Sequence, residues 1–129
     1  MIQEYLSTHF EVLDESKNTY LASIDKLESK FFALKCHFPY LWFLDISYRK
    51  HSPLDYQLKY SFLEAELKES FFIYVNVGIS DRVKSLAHLW RSARIYEQEL
   101  STVWKINFSR AYTDLMEAKV TDYDYELNH

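Results

Sequence analysis

The chain has 129 residues, of which 48% are hydrophobic and 26% charged, so it is long enough for one hydrophobic core and too short for two full domains. Its formal net charge of -4 argues against a general nucleic-acid-binding protein, which needs clustered Lys and Arg against phosphates. The single cysteine, Cys36, excludes an internal disulfide and fits a reducing compartment.

The first predicted elements are a strand and a helix. Over residues 19–24, Tyr20 and Ala22 occupy every second position, which is the spacing of one face of a strand. This pattern predicts a short strand. Asp25 is then positioned to cap a helix over residues 25–35, with Phe31 and Leu34 on its apolar face. Residues 1–18, which precede this pair, are assigned to an N-terminal extension.

Three further strands are predicted in the middle of the chain. The bulky apolar run at 40–48 predicts the first, and the polar segment 49–55, which contains Pro53, predicts a loop. Residues 56–62 and 71–77 alternate strictly between apolar and other side chains, and they predict an antiparallel pair joined by a short loop.

After Ser80 the apolar spacing becomes helical. One predicted helix carries Val83, Leu86 and Trp90, and a second carries Ile95 and Leu100. The fold class predicted from this order is α+β, with an antiparallel or mixed sheet of about four strands and helices packed on one face. The domain is expected to span residues 19–110, followed by an acidic C-terminal tail at 111–129.

Catalytic and metal-binding patterns are missing from the sequence. The five histidines are not spaced as metal ligands usually are. Phosphate-binding loops need several glycines, and the chain has only Gly78. Glu97 and Glu99 lie two positions apart on the last predicted helix, so they should point about 200° from each other and cannot share a proton. One should face the core or a partner, and the other water.

Neither a signal peptide nor a membrane-spanning segment is indicated. No apolar run reaches the ~20 residues that a transmembrane helix needs, and the first residues lack a basic segment followed by an apolar one. We therefore expect a cytoplasmic protein, which would lie on the cytoplasmic face of the inner membrane only if a partner holds it there.

Residues 85–108 resemble the signature of the 30 kDa subunit family of respiratory complex I, the NADH-quinone oxidoreductase of bacteria and mitochondria. Seven residues are similar to the family pattern in type and spacing: Ser85, Trp90, Ala93, Glu97, Glu99, Ile106 and Phe108. The chain departs from the pattern at Gln98, where the family has Arg, at Ser101 and Thr102, where it has Tyr-Asp, and at Trp104 and Lys105, where it has Phe-Gly. The strands at 40–48, 56–62 and 71–77 are also similar to the family's order of elements.

This resemblance implies a non-catalytic subunit with no iron–sulfur cluster, flavin or quinone of its own. Its partner would be the large subunit that lines the quinone site, or a hydrogenase counterpart. The residues expected at or beside the docking surface are Trp90, Arg94, Tyr96, Glu97 and Glu99. If Lys105 occupies the family's glycine position, it must adopt a positive φ, unless the helix simply continues through it. The alternative hypothesis is a freestanding protein-binding module that retains the fold outside the complex.

Overall fold

The computed structural model describes residues 2–109, and the predicted acidic tail at 111–129 lies outside them. The fold is α+β, and the described residues form a five-stranded mixed sheet and a two-stranded sheet with three α-helices. The elements in chain order are α1 (Ile2–His9), β1 (Glu11–Asp14), β2 (Thr19–Ala22), α2 (Leu27–His37), β3 (Leu41–Ser52), β4 (Asp55–Glu64), β5 (Glu69–Gly78), β6 (Val83–Lys84), α3 (Ala93–Trp104) and β7 (Phe108–Ser109).

The large sheet has the strand order β1-β2-β5-β4-β3. β2 and β5 are parallel, and the other neighbours are antiparallel. The estimate of about four strands is thus replaced by five, because the short β1 adds to the edge of β2. β6 and β7 form a separate parallel pair.

One face of the large sheet carries the hydrophobic core. The alternating residues of β4 point into it, and Leu58, Tyr60 and Phe62 are fully buried. Phe31 of α2 lies against that face, with its ring 5.2 Å from the Tyr60 ring and 5.5 Å from the Phe62 ring. Such aromatic pairs contribute a large buried area in a small domain.

The N-terminal segment contributes to the same core. Ile2 and Leu6 of α1 are buried, and Phe10 lies 6.2 Å from Phe31 between ring centroids. Residues 2–18, which the sequence assigned to an extension, therefore carry a helix and an edge strand that pack with the domain.

Two predicted boundaries are wrong. The expected loop at 49–55 is mostly strand, since β3 continues to Ser52 and only Pro53 and Leu54 separate it from β4. Its residues are polar because they are exposed, not because they leave the sheet. The expected cap at Asp25 is also absent: Asp25 lies within a short 3-10 turn, Ile24–Lys26, and α2 starts with no side-chain cap.

The helix expected from Ser80 does not form. A helix would direct the N–H groups of this segment to carbonyls four residues earlier. Here Val83 donates to Asn107 O and Ser85 to Ser109 O, while Leu86 donates to the Glu97 carboxylate. The spacing of Leu86 and Trp90 is satisfied by a single turn, in which Trp90 N donates to Leu86 O at 2.9 Å.

Candidate functional site

Glu97 and Ser85 form the polar centre of the region with the signature. Glu97 is 6% exposed, and its carboxylate accepts hydrogen bonds from the Ser85 hydroxyl at 2.6 Å and from Leu86 N at 2.8 Å. The Ser85 oxygen also accepts a bond from Ala87 N at 3.1 Å. A buried carboxylate with charge-assisted bonds of this length is firmly held, so Glu97 joins α3 to the irregular segment before it.

Tyr60 of β4 lies near this carboxylate. Burial raises the pKa of its phenol well above the usual value of 10, and the charge of Glu97 raises that pKa further. Within residues 2–109 the Tyr60 hydroxyl has no hydrogen-bond partner. Burial and the nearby negative charge therefore both favour the neutral form of the Tyr60 phenol.

Trp90 packs at the centre of an aromatic cluster. Its ring lies 5.2 Å from the Phe62 ring and is stacked at 6.0 Å on Phe43, both centroid distances. The indole nitrogen donates to Leu41 O at 3.4 Å. Lys35 Nζ lies 5.7 Å from the Trp90 ring and donates to Leu89 O, which ties α2 to the same segment. Trp90 is 7% exposed, so most of its ring packs within the fold.

The other three predicted docking residues lie at different positions around α3: Glu99 faces outward, whereas Arg94 and Tyr96 flank the buried face on opposite sides. Glu99 is exposed, and Arg94 and Tyr96 are half-buried. The Tyr96 ring lies 6.0 Å from the Phe43 ring at the start of β3, so this surface borders the edge strand of the sheet. We call Arg94, Tyr96 and Glu99 the α3 surface. The structure separates it from Trp90 and Glu97, which point inward.

Glu97 and Glu99 face opposite ways, as their helical spacing predicts. The other expected apolar positions of α3 are only partly correct: Leu100 is buried, but Ile95 is 68% exposed. The sequence patterns do not predict that Ser85 hydrogen-bonds Glu97. One observation could have indicated this bond. Ser85 and Glu97 both belong to the signature, twelve positions apart, and a serine hydroxyl can donate to a buried carboxylate.

Few other groups could support chemistry. Among residues 2–109, no three His, Cys, Asp or Glu side chains are placed to hold a metal ion. Cys36 is exposed on α2 and forms no disulfide. In the same part of the chain, no helix has both the length and the apolar character that crossing a membrane requires.

Comparisons with known proteins leave the chain without an assigned relative: no protein-family model matches it, and no curated protein matches it.

Proposed function

We propose that this chain is a structural and assembly subunit of the hydrophilic arm of an NADH-quinone oxidoreductase, or of a related membrane-bound hydrogenase. In this role it has no catalytic group and no cofactor. Its α3 surface docks against the large quinone-site subunit. The proposal rests on the resemblance of residues 85–108 to the complex I 30 kDa subunit family.

The observation that carries the proposal is how the signature residues are used. Ser85 and Glu97 hydrogen-bond each other, Trp90 fills the aromatic cluster, and Ala93 and Ile106 are buried. A signature that specifies a fold should retain residues that contact each other in the interior, because a buried polar side chain needs its hydrogen-bond partner. Five of the seven side chains that resemble the family pattern are therefore buried in this part of the fold.

Lys105 supports the same proposal. It ends α3 with φ 59 and ψ 29, the left-handed conformation, and its N–H donates to Leu100 O. The family pattern has glycine at this position, and glycine adopts a positive φ without strain. The backbone thus makes the turn that the family's glycine would favour, although the side chain has changed. Of the two conformations open to Lys105, the tight turn is the one adopted.

Co-purification from the native cell tests the proposal. The tagged full chain, extracted under mild conditions, should bring down a large subunit resembling the quinone-site partner. Glu99→Lys should weaken that capture because it reverses the one exposed charge of the signature, and Glu11→Lys, an exposed acid on β1, should not. Absence of such a partner, or equal capture by both variants, would count against docking through α3.

One observation favours the alternative, a freestanding binding module with the same fold. The positions at which the chain departs from the family pattern are all exposed: Gln98, Ser101, Thr102, Trp104 and Lys105. Exposed positions contact partners, so the fold could persist while the partner changes. A monodisperse monomer or homodimer in native extracts, with no large subunit bound, would favour this alternative.

A further inference from the structure

The most exposed apolar residue in the described part of the chain is at one end of the large sheet. Leu54, in the turn between β3 and β4, is 73% exposed, and Ile79, directly after β5, is 68% exposed. Ile79 N donates to Leu54 O at 2.9 Å, so the two residues lie side by side. We call this pair the apolar tip. Two large aliphatic side chains that protrude together from turns contribute nothing to the core.

Four exposed cations lie within five residues of the apolar tip along the chain. Arg49 and Lys50 are near the end of β3, and Arg82 and Lys84 follow Ile79. Neighbouring strand residues point to opposite faces of a sheet, so Arg49 and Lys50 flank the tip on both sides. At about 3.4 Å per residue, they lie within about 17 Å of the tip along the hairpin.

Two carboxylates lie beside the apolar tip in the sequence, and each is engaged in a turn. Asp55 accepts a bond from the Ser52 hydroxyl at 2.8 Å, and Asp81 accepts one from Gly78 N at 2.8 Å. Four cations against these two acids make the chain segments on either side of the tip positive, in a chain whose formal net charge is -4. The charge of the molecule is therefore unevenly distributed, with a basic end around the apolar tip.

We propose that the apolar tip and its four cations bind an anionic lipid surface. Leu54 and Ile79 would enter the boundary between headgroups and acyl chains, and the cations would contact the lipid phosphates. Because Arg49 and Lys50 lie on opposite faces of the sheet, a broad surface that meets the sheet end-on is the shape that contacts both of them. A bilayer has that shape, whereas a protein groove would have to surround the hairpin.

This site is separate from the α3 surface. Tyr96 lies beside Phe43 at the start of β3, and Leu54 follows the other end of that strand. The lipid site therefore goes beyond the proposed subunit role and does not depend on it. It would give the chain a direct membrane contact in addition to any contact through a partner.

Vesicle flotation of the purified full chain tests the lipid site. Binding should be about ten-fold or more stronger to phosphatidylcholine vesicles containing phosphatidylglycerol than to phosphatidylcholine alone, and should be lost at about 0.5 M salt. The double variant Leu54→Glu/Ile79→Glu should no longer float. Ile95→Glu is the matched control, since Ile95 is also 68% exposed but lies on α3, and it should float like the parent.

Three results would overturn the lipid site. They are equal binding to neutral and anionic vesicles, undiminished binding of the double variant, and no binding of the parent. If the parent failed to float but the double variant lost a co-purifying protein, the tip would be a protein contact instead. Glu99→Lys separates the two proposals, because it should impair partner capture without changing flotation.

Discussion

The Glu97 carboxylate accepts a 2.6 Å hydrogen bond from the Ser85 hydroxyl, and this contact joins α3 to the segment that follows β6. Both residues are buried, and Leu86 N is bound to the other carboxylate oxygen. Removing such an acceptor leaves buried donors without partners, which costs more than the net contribution of the bonds themselves. Because the same segment carries Trp90, this polar contact also positions the aromatic cluster.

Glu97→Ala should therefore lower the free energy of unfolding by about 3 kcal/mol, since it strands two buried donors. Glu97→Gln should lower the free energy of unfolding less, because its amide can still accept one hydrogen bond and donate another to the Ser85 oxygen. Urea denaturation monitored by circular dichroism measures both. Glu99→Ala, on the exposed side of α3, is the control and should stay within about 0.5 kcal/mol of the parent. Equal losses at the two glutamates would contradict a structural role for the buried one.

Trp90→Ala should be among the most destabilising substitutions in the chain, at about 3–5 kcal/mol, because it leaves a cavity between Phe43 and Phe62. Trp42→Ala is the matched control: Trp42 is 58% exposed on the open face of the sheet and should change stability little. Urea unfolding of both variants gives the comparison. Similar midpoints would show that the aromatic cluster is not the centre of the core.

The strands were predictable where burial repeats every second residue. β4 and β5 form the expected antiparallel pair, which extends over their whole length with Tyr60 opposite Ile73. The alternation survives because one face is buried and the other is open, so the pattern itself specifies the pairing. β1 escaped detection because it is a four-residue edge strand whose residues are mostly exposed.

The segment from Val83 to Trp90 could not be predicted from local pattern. Its apolar spacing fits a helix, but the N–H groups of its first half, through Leu86, donate to distant residues. The acceptors are Asn107, Ser109 and Glu97. Tertiary contacts therefore override the periodicity. For the candidate site, helical geometry correctly placed Glu97 and Glu99 on opposite sides of α3. It could not show which of the two glutamates points inward, because that depends on how α3 packs.

Lys105→Gly should stabilise the fold by up to about 1 kcal/mol, because Lys105 holds φ 59 at the end of α3 and glycine adopts this conformation without strain. Gln98→Gly, an exposed position inside the same helix, is the opposite control and should destabilise by about 0.5 kcal/mol. Thermal unfolding would show whether each variant is more or less stable than the parent. A loss of stability in Lys105→Gly would mean that the lysine side chain contributes more than its backbone strain costs.

Two buried tyrosines make the fold sensitive to alkaline pH. Burial raises the pKa of Tyr56 to about 12, with a further contribution from the Asp81 charge, and burial raises the pKa of Tyr60 well above 10. A phenol that ionises less readily when folded contributes stability that is fully present below its unfolded pKa of about 10. That stability is lost as the pH rises from about 10 through the folded value.

Tyr60→Phe tests this linkage. The variant should be as stable as the parent near neutral pH, or more stable by up to about 1 kcal/mol, because it removes a buried hydroxyl that has no partner within residues 2–109. Above pH 10 its stability should fall less steeply than that of the parent, since one late-ionising group is gone. Urea unfolding at a series of alkaline pH values measures the slopes. A Tyr60→Phe profile that parallels the parent would show that Tyr60 does not govern alkaline unfolding.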